Sequence, residues 1–154
     1  MINLKIIEQE KLDIIIKLRL ELWKELGKIS DSKEYDFLYN KNMDFFEKKF
    51  KENSIRISTL QNKNDEIISI GIGIIIDKPP VNYEDLGKEG YIFNMNTISN
   101  LRNKGYGTII LNDLVDFFKT QNVKRITLNA NEKSFNFYKK NQFNGSDLNM
   151  SRIL

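Results

Sequence analysis

The stretch RNKGYGT, residues 102–108, lies between two apolar runs, GYIFNMNTI (90–98) and TIILNDLVDFF (108–118). The first run has the density of apolar residues expected of a buried strand, from about Gly90 to Ile98. In the second, Ile110, Leu114, Phe117 and Phe118 fall on one face of an amphipathic helix. A turn with two glycines therefore joins a strand to a helix. Such a helix start offers free backbone N–H groups, the positive end of the helix dipole and room for an anion to come close. Arg102 and Lys104 add charge at its mouth, although a charged surface loop would read the same way. The known nucleotide motifs do not fit. A Walker loop needs Gly-Lys-Ser/Thr after its fourth spacer residue, and the dinucleotide fingerprint needs a third glycine where Ile110 stands. GIGIII, from Gly71, fails the same test.

Working outward, INLKII (2–7) predicts a strand, and Leu12, Ile15, Ile16, Leu22, Trp23 and Leu26 predict a helix that stops at Gly27. Arg19 interrupts that stripe. It is read either as a snorkelling or ion-paired side chain, or as the partner of a substrate carboxylate near the site. Asp31 or Ser32 caps a second helix that runs through Phe45, Phe46 and Phe50 to about Asn53. The period then changes to two: SIRISTL (54–60) and EIISIGIGIII (66–76) are strands joined by the polar turn QNKND. Gly71 and Gly73 mark a bulge or a close backbone approach. DKPPVNYEDLGKEG, with the only two prolines, is a loop. After the 108–118 helix come a strand in VKRITLNA (123–130), a short helix in EKSFNFYKK (132–140) and a last strand in LNMSRIL (148–154). The order βααβββαβαβ defines an α/β fold, with helices flanking a mixed sheet.

Composition removes many chemistries. The chain has 154 residues, about one domain, and is 40% apolar, enough for a core. We expect a single domain over 1–154. It contains no Cys and no His, which excludes disulfides, thiolate nucleophiles, Ser-His-Asp triads and Cys/His zinc sites. No Asp/Glu series has calcium-loop spacing, so no metal is expected. No apolar run reaches the roughly 18 residues that span a bilayer, and MINLKIIEQEKLD is too charged for a signal peptide. We expect a cytoplasmic protein without a membrane partner. The net charge of +3 is mildly basic and comes in no cationic block, so nucleic acid is not a favoured partner. A monomer and a homodimer both stay open.

Two segments together make a more specific pattern. Arg102, Gly105 and Gly107 fit Arg/Gln-x-x-Gly-x-Gly/Ala, and Asn131, Ser134, Tyr138, Lys140 and Phe143 follow Asn-x-x-Ala-x-x-x-Tyr-x-Lys-x-Gly-Phe. From Gly90 to Phe143 the chain resembles the GCN5-related N-acetyltransferase (GNAT) family, in both motifs and in the order of the flanking elements. Ser99 stands where a proline often precedes the loop. Gln142 replaces the glycine before Phe143, at a position that often takes a positive φ at a helix end.

The resemblance implies the acyl-CoA N-acyltransferase fold, with a mostly antiparallel sheet, and acetyl-CoA as co-substrate. The pyrophosphate would lie on Arg102, Asn103, Lys104, Gly105, Tyr106, Gly107 and Thr108, with Gly107 leaving it room. The pantetheine arm would pair with the backbone at Thr97 and Ile98. Acetyl would pass directly from thioester to the amine of a small molecule or peptide, without an acyl-enzyme, which suits a chain lacking Cys and His. Tyr138 would be the acid for the departing sulfur, against a purely structural reading as a core aromatic. Asn131 and Ser134 would touch the coenzyme, against a reading as helix caps.

The base is not identified. Glu21, Glu25 and Glu84 are candidates that read equally as solvated charges, and Asn94 could orient an amine or face solvent. Two other functions stay open at this level. One is a non-catalytic acyl-CoA sensor on the same fold; the other is a small basic nucleic-acid module, with Tyr35, Tyr39 and Phe45 near lysines.

Overall fold

The computed structural model describes residues 1–145 and 150–154. Its elements are β1 (Asn3–Ile6), α1 (Leu12–Glu25), α2 (Ser32–Lys51), β2 (Ile55–Gln61), β3 (Ile67–Asp77), β4 (Lys88–Thr97), α3 (Tyr106–Thr120), β5 (Arg125–Leu128) and α4 (Glu132–Lys140). This is the expected order as far as α4. The strands lie side by side in chain order, β1-β2-β3-β4-β5. All neighbours are antiparallel except β4 and β5, which run parallel with α3 crossing between them.

Local sequence explains where the helices stop. Each of the four ends in a residue of positive φ, namely Gly27 (69°), Asn53 (51°), Asn122 (57°) and Gln142 (67°). In each case the next N–H turns back to the carbonyl five residues earlier: Lys28 to Trp23, Ser54 to Lys49, Val123 to Phe118 and Phe143 to Tyr138. This is the Schellman closure, in which glycine and asparagine carry the left-handed conformation at least cost. Gln142 takes it without either advantage, as the motif comparison anticipated. The starts differ more. Asp31 caps α2 by accepting from the Glu34 N–H at 2.8 Å, while α3 begins at Gly105 with no side-chain cap at all.

Period-two alternation divides the core between the two faces of the sheet. Ile70, Ile72 and Ile74 of β3 join Leu12, Ile15, Ile16 and Leu20 of α1 and Phe46 of α2. On the other face Ile75 and Ile92 join Ile110, Leu111, Leu114 and Phe118 of α3. Gly71 and Gly73 are the close approach expected from sequence. A Cβ on Gly71 would stand 2.5 Å from Ile110 Cγ2, and one on Gly73 would stand 2.8 Å from Phe118 Cζ. The missing side chains let α3 lie directly on the strands. Polar groups on that face are paired: Asp113 of α3 receives Arg56 Nε and Nη2 at 3.0 and 2.8 Å, and the Ser58 hydroxyl. Burial pushes the Asp113 carboxyl up, but these bonds outweigh it and hold the group below the usual aspartate value.

One expectation fails. Of the last strand predicted over 148–154, Leu148 and Asn149 lie outside the described residues, and 150–154 have no regular structure. Met150 and Ile153 are each 96% exposed, so the apolar residues described in this segment bury nothing. An apolar segment becomes a strand only where its side chains find a surface to pack on.

Candidate active site

The opening sits in β4. Its pairing with β5 covers only Glu89 to Ile92, opposite Arg125 to Leu128, after which β5 ends. β4 itself runs on to Thr97, still paired with β3 through Asn96 and Thr97. Residues 93–97 therefore present an edge with no strand beside it among the described residues. Ile98 does not contribute free backbone to this edge. Its N–H donates to Ile68 O at 3.0 Å, and its carbonyl accepts from Leu101 N at 3.0 Å. Successive residues of a strand point their amides to opposite sides, so the group facing the open edge is the Thr97 N–H. The Thr97 carbonyl is already taken by Arg102 Nε at 3.0 Å, a bond that ties the glycine turn to the end of the strand.

The same strand carries a bulge. Ile70 pairs with Asn96 and Ile72 with Phe93, so β4 holds one more residue than β3 between those pairs. Asn94 takes φ 55° there. The extra residue re-aims a side chain. Tyr91 and Phe93 pack with the α1/α2 cluster, Met95 with the α3 cluster, and Asn94 falls on the α1 side, where its Oδ1 accepts from Arg19 Nη1. Asn94 therefore does not simply point to solvent.

The glycine turn faces this opening. Arg102, Asn103, Lys104 and Gly105 are exposed, and Tyr106, Gly107 and Thr108 form the half-buried first turn of α3. The first intrahelical bond is Ile109 N to Gly105 O at 3.2 Å. The N–H groups of Tyr106, Gly107 and Thr108 thus precede any carbonyl that could accept them within the helix, and no side-chain cap replaces it. Gly105 takes φ 82°, and a Cβ there would meet nothing within 4 Å. Gly107 differs from the sequence reading. Its Cβ would point at Phe137 Cζ, 3.2 Å away, so it makes room for α4 rather than for open space. Thr97, Gly107 and Phe137 meet there, which brings the strand edge, the uncapped helix start and α4 to one place.

Tyr138 follows Phe137 on α4. Its ring packs edge-on against Phe137 and Phe143, at 5.0 and 5.9 Å between centroids. The residue is 8% exposed, and burial raises the phenol above its ordinary value. At neutral pH it keeps its proton. Among the described residues no fully buried side-chain nitrogen or oxygen lacks a partner, and none of those residues bonds the Tyr138 hydroxyl, so within them the oxygen borders accessible space. Asn131 and Ser134 form a reciprocal capping box on α4, with Ser134 N donating to Asn131 Oδ1 at 2.9 Å and Asn131 N donating to Ser134 Oγ at 3.0 Å. Capping is their observed role.

The candidate bases are surface residues. Glu25 and Glu84 are exposed, and Glu21 lines an open hollow between α1 and α2 with Lys24, Asp31, Tyr35 and Asp36. Tyr35 and Tyr39 belong to the α1/α2 core cluster, which gives those aromatics a packing role. No group of three or more His, Cys, Asp or Glu that could hold a metal occurs among the described residues. None of their helices is long and apolar enough to cross a membrane.

The comparisons with known proteins agree with this geometry. The Acetyltransferase (GNAT) family matches residues 17–143, and the chain belongs to that family. A predicted acetyltransferase from Clostridium acetobutylicum, solved with acetyl-CoA, is 25% identical over 99% of this chain and 96% of its own, with a TM-score of 0.84. A GCN5-related N-acetyltransferase from Ralstonia eutropha JMP134 superposes over 100% of this chain and 99% of its own, at 17% identity and a TM-score of 0.79. Glucosamine-6-phosphate N-acetyltransferase from Arabidopsis thaliana does so over 99% and 98%, at 20% identity and 0.71. The last two speak for the fold alone. No curated protein matches the sequence.

Proposed function

We propose that residues 1–154 form one cytoplasmic acetyltransferase domain that moves acetyl from acetyl-CoA to a primary amine. The observation that carries this reading is the uncapped start of α3, with open space over Gly105, beside the unpaired edge of β4. Three amides and a dipole end suit a pyrophosphate, and Arg102 and Lys104 at the mouth add charge. The Thr97 N–H offers the strand-like pairing that an amide-bearing arm needs. Bound acetyl-CoA supplies an activated thioester, which an amine attacks directly.

The residues then have two tasks. Tyr138 donates a hydrogen bond to the sulfur as charge develops there. Burial makes this phenol a still weaker acid, weaker than an ordinary thiol, so full proton transfer to the thiolate is uphill and the donated bond is the larger contribution. The second task is to admit a neutral amine, whose proton leaves to water or to a carboxylate through water.

Acetyl-CoA is expected to stabilise the protein. At about 100 times its dissociation constant the linkage is roughly 2.7 kcal/mol, which raises Tm by about 5–10 °C in a domain of this size. Desulfo-CoA should act similarly, because the pyrophosphate and pantetheine do most of the binding. A melting curve unmoved by millimolar acetyl-CoA would remove the coenzyme site.

A further inference from the structure

Arg19 is a half-buried charge that the proposed reaction does not use. Two comparable ions are matched: half-buried Arg56 by Asp113 at 2.8 Å, and buried Glu89 by Lys78 at 2.6 Å. Among the described residues Arg19 has no carboxylate partner. Its guanidinium meets neutral groups only, with Nε on Asn42 Oδ1 at 3.2 Å and Nη1 on Asn94 Oδ1. Asn42 is itself held, its amide donating to Leu38 O at 2.8 Å. The faces of Trp23 and Phe93 lie 4.1 and 5.4 Å from Arg19 Cζ. Burial pulls the guanidinium below its ordinary value, and Tyr91 partly offsets this. It stays charged at neutral pH all the same.

Holding a guanidinium partly out of water without a counter-charge is costly, and two asparagine oxygens and two ring faces offset only part of that cost. They also leave one edge unused. Among the described residues Nη2 has no hydrogen-bond partner, and since none of their fully buried side-chain nitrogens is unpartnered, that edge is accessible within them. The location matters. Arg19 is tied to the β4 bulge at Asn94, three residues or about 10 Å of strand from the Thr97 amide, on the face opposite α3. An acceptor that approaches the thioester from the α1/α2 side meets this cation.

We infer that Arg19 binds an anionic group of the acceptor, so that the substrate is an amine that also carries a carboxylate or a phosphate. This rests on the transferase reading above. A planar guanidinium with a free edge recognises either anion through two parallel bonds.

The test uses matched pairs with the full chain and saturating acetyl-CoA. In one arm amino acids are compared with their amides, and in the other phosphorylated amino sugars with the parent sugars. Thiol release gives kcat/KM. Emission of Trp23, the only tryptophan, gives binding without turnover. We expect the anionic member of at least one pair to be preferred roughly 10- to 100-fold, with the preferring arm identifying the anion. Arg19→Gln should abolish that preference, Arg19→Lys should keep part of it, and KM for acetyl-CoA should not move.

A merely structural Arg19 would slow both members of a pair alike, and that result would overturn the inference. So would neutral members accepted as well as anionic ones. If acetyl-CoA neither binds nor releases thiol, the transferase reading fails separately. In that case a saturable Trp23 response to the anionic compounds, absent in Arg19→Gln, would still uphold the anion site, and no response would remove it.

Discussion

Tyr138→Phe is expected to lower kcat about 10²–10⁴-fold while KM for acetyl-CoA stays close to the parent value. The substitution removes one oxygen and keeps a ring that packs against Phe137 and Phe143, so the fold should hardly register it. The hydroxyl bonds none of the described residues, so none of them loses a partner when it goes. Its contribution is confined to the moment when negative charge appears on sulfur, and a loss confined to kcat is the signature of an interaction made in the transition state. Steady-state thiol release and a coenzyme titration on both proteins check this. An unchanged kcat would show that the phenol gives no help to the leaving group. A loss of coenzyme affinity at constant kcat would make Tyr138 a binding residue.

Phe118→Ala is expected to cost about 3–5 kcal/mol, or roughly 6–20 °C in Tm. Against a typical total of about 5–15 kcal/mol that is a large fraction. Phe118 is fully buried on α3, with its ring wedged where Cβ atoms on Gly73 and Gly90 would come within 2.8 and 2.9 Å. A second variant makes the reason testable. Gly73→Ala alone should destabilise by about 1–3 kcal/mol through overpacking. In the Phe118→Ala background the added methyl enters vacated space, so most of that cost should vanish. The double-mutant cycle would then show at least ~1 kcal/mol of coupling. Additive losses in denaturant melts would mean that the glycines are not there to seat the ring.

Much of this was legible from residue pattern. The change from helical to period-two spacing after Asn53 marks the start of the sheet, and Gly27, Asn53 and Gln142 sit where helices close. The strand, glycine turn and helix at 90–118 give the proposed coenzyme loop and, with Asn131 to Phe143, the family. Other features depend on register, which a single strand does not encode. The bulge at Asn94 exists only relative to β3, and the open edge of β4 exists only because β5 stops at Leu128. Gly107 read as space for a ligand until its Cβ direction was known, since α4 arrives there from 30 residues further along the chain. Arg19 was visible as an interruption in an apolar stripe. That it lacks a carboxylate could be seen only with its neighbours Asn42, Asn94, Trp23 and Phe93 in place.

The central claim is direct transfer of acetyl from coenzyme to amine, and the most direct test is single-turnover mass spectrometry with acetyl-CoA and a mixed panel of amines. The account predicts thiol release matched one-for-one by an acceptor heavier by one acetyl group, with the protein's own mass unchanged throughout. Coenzyme binding with no acetylated product from any amine would contradict it, and would make the chain an acyl-CoA sensor on a transferase fold.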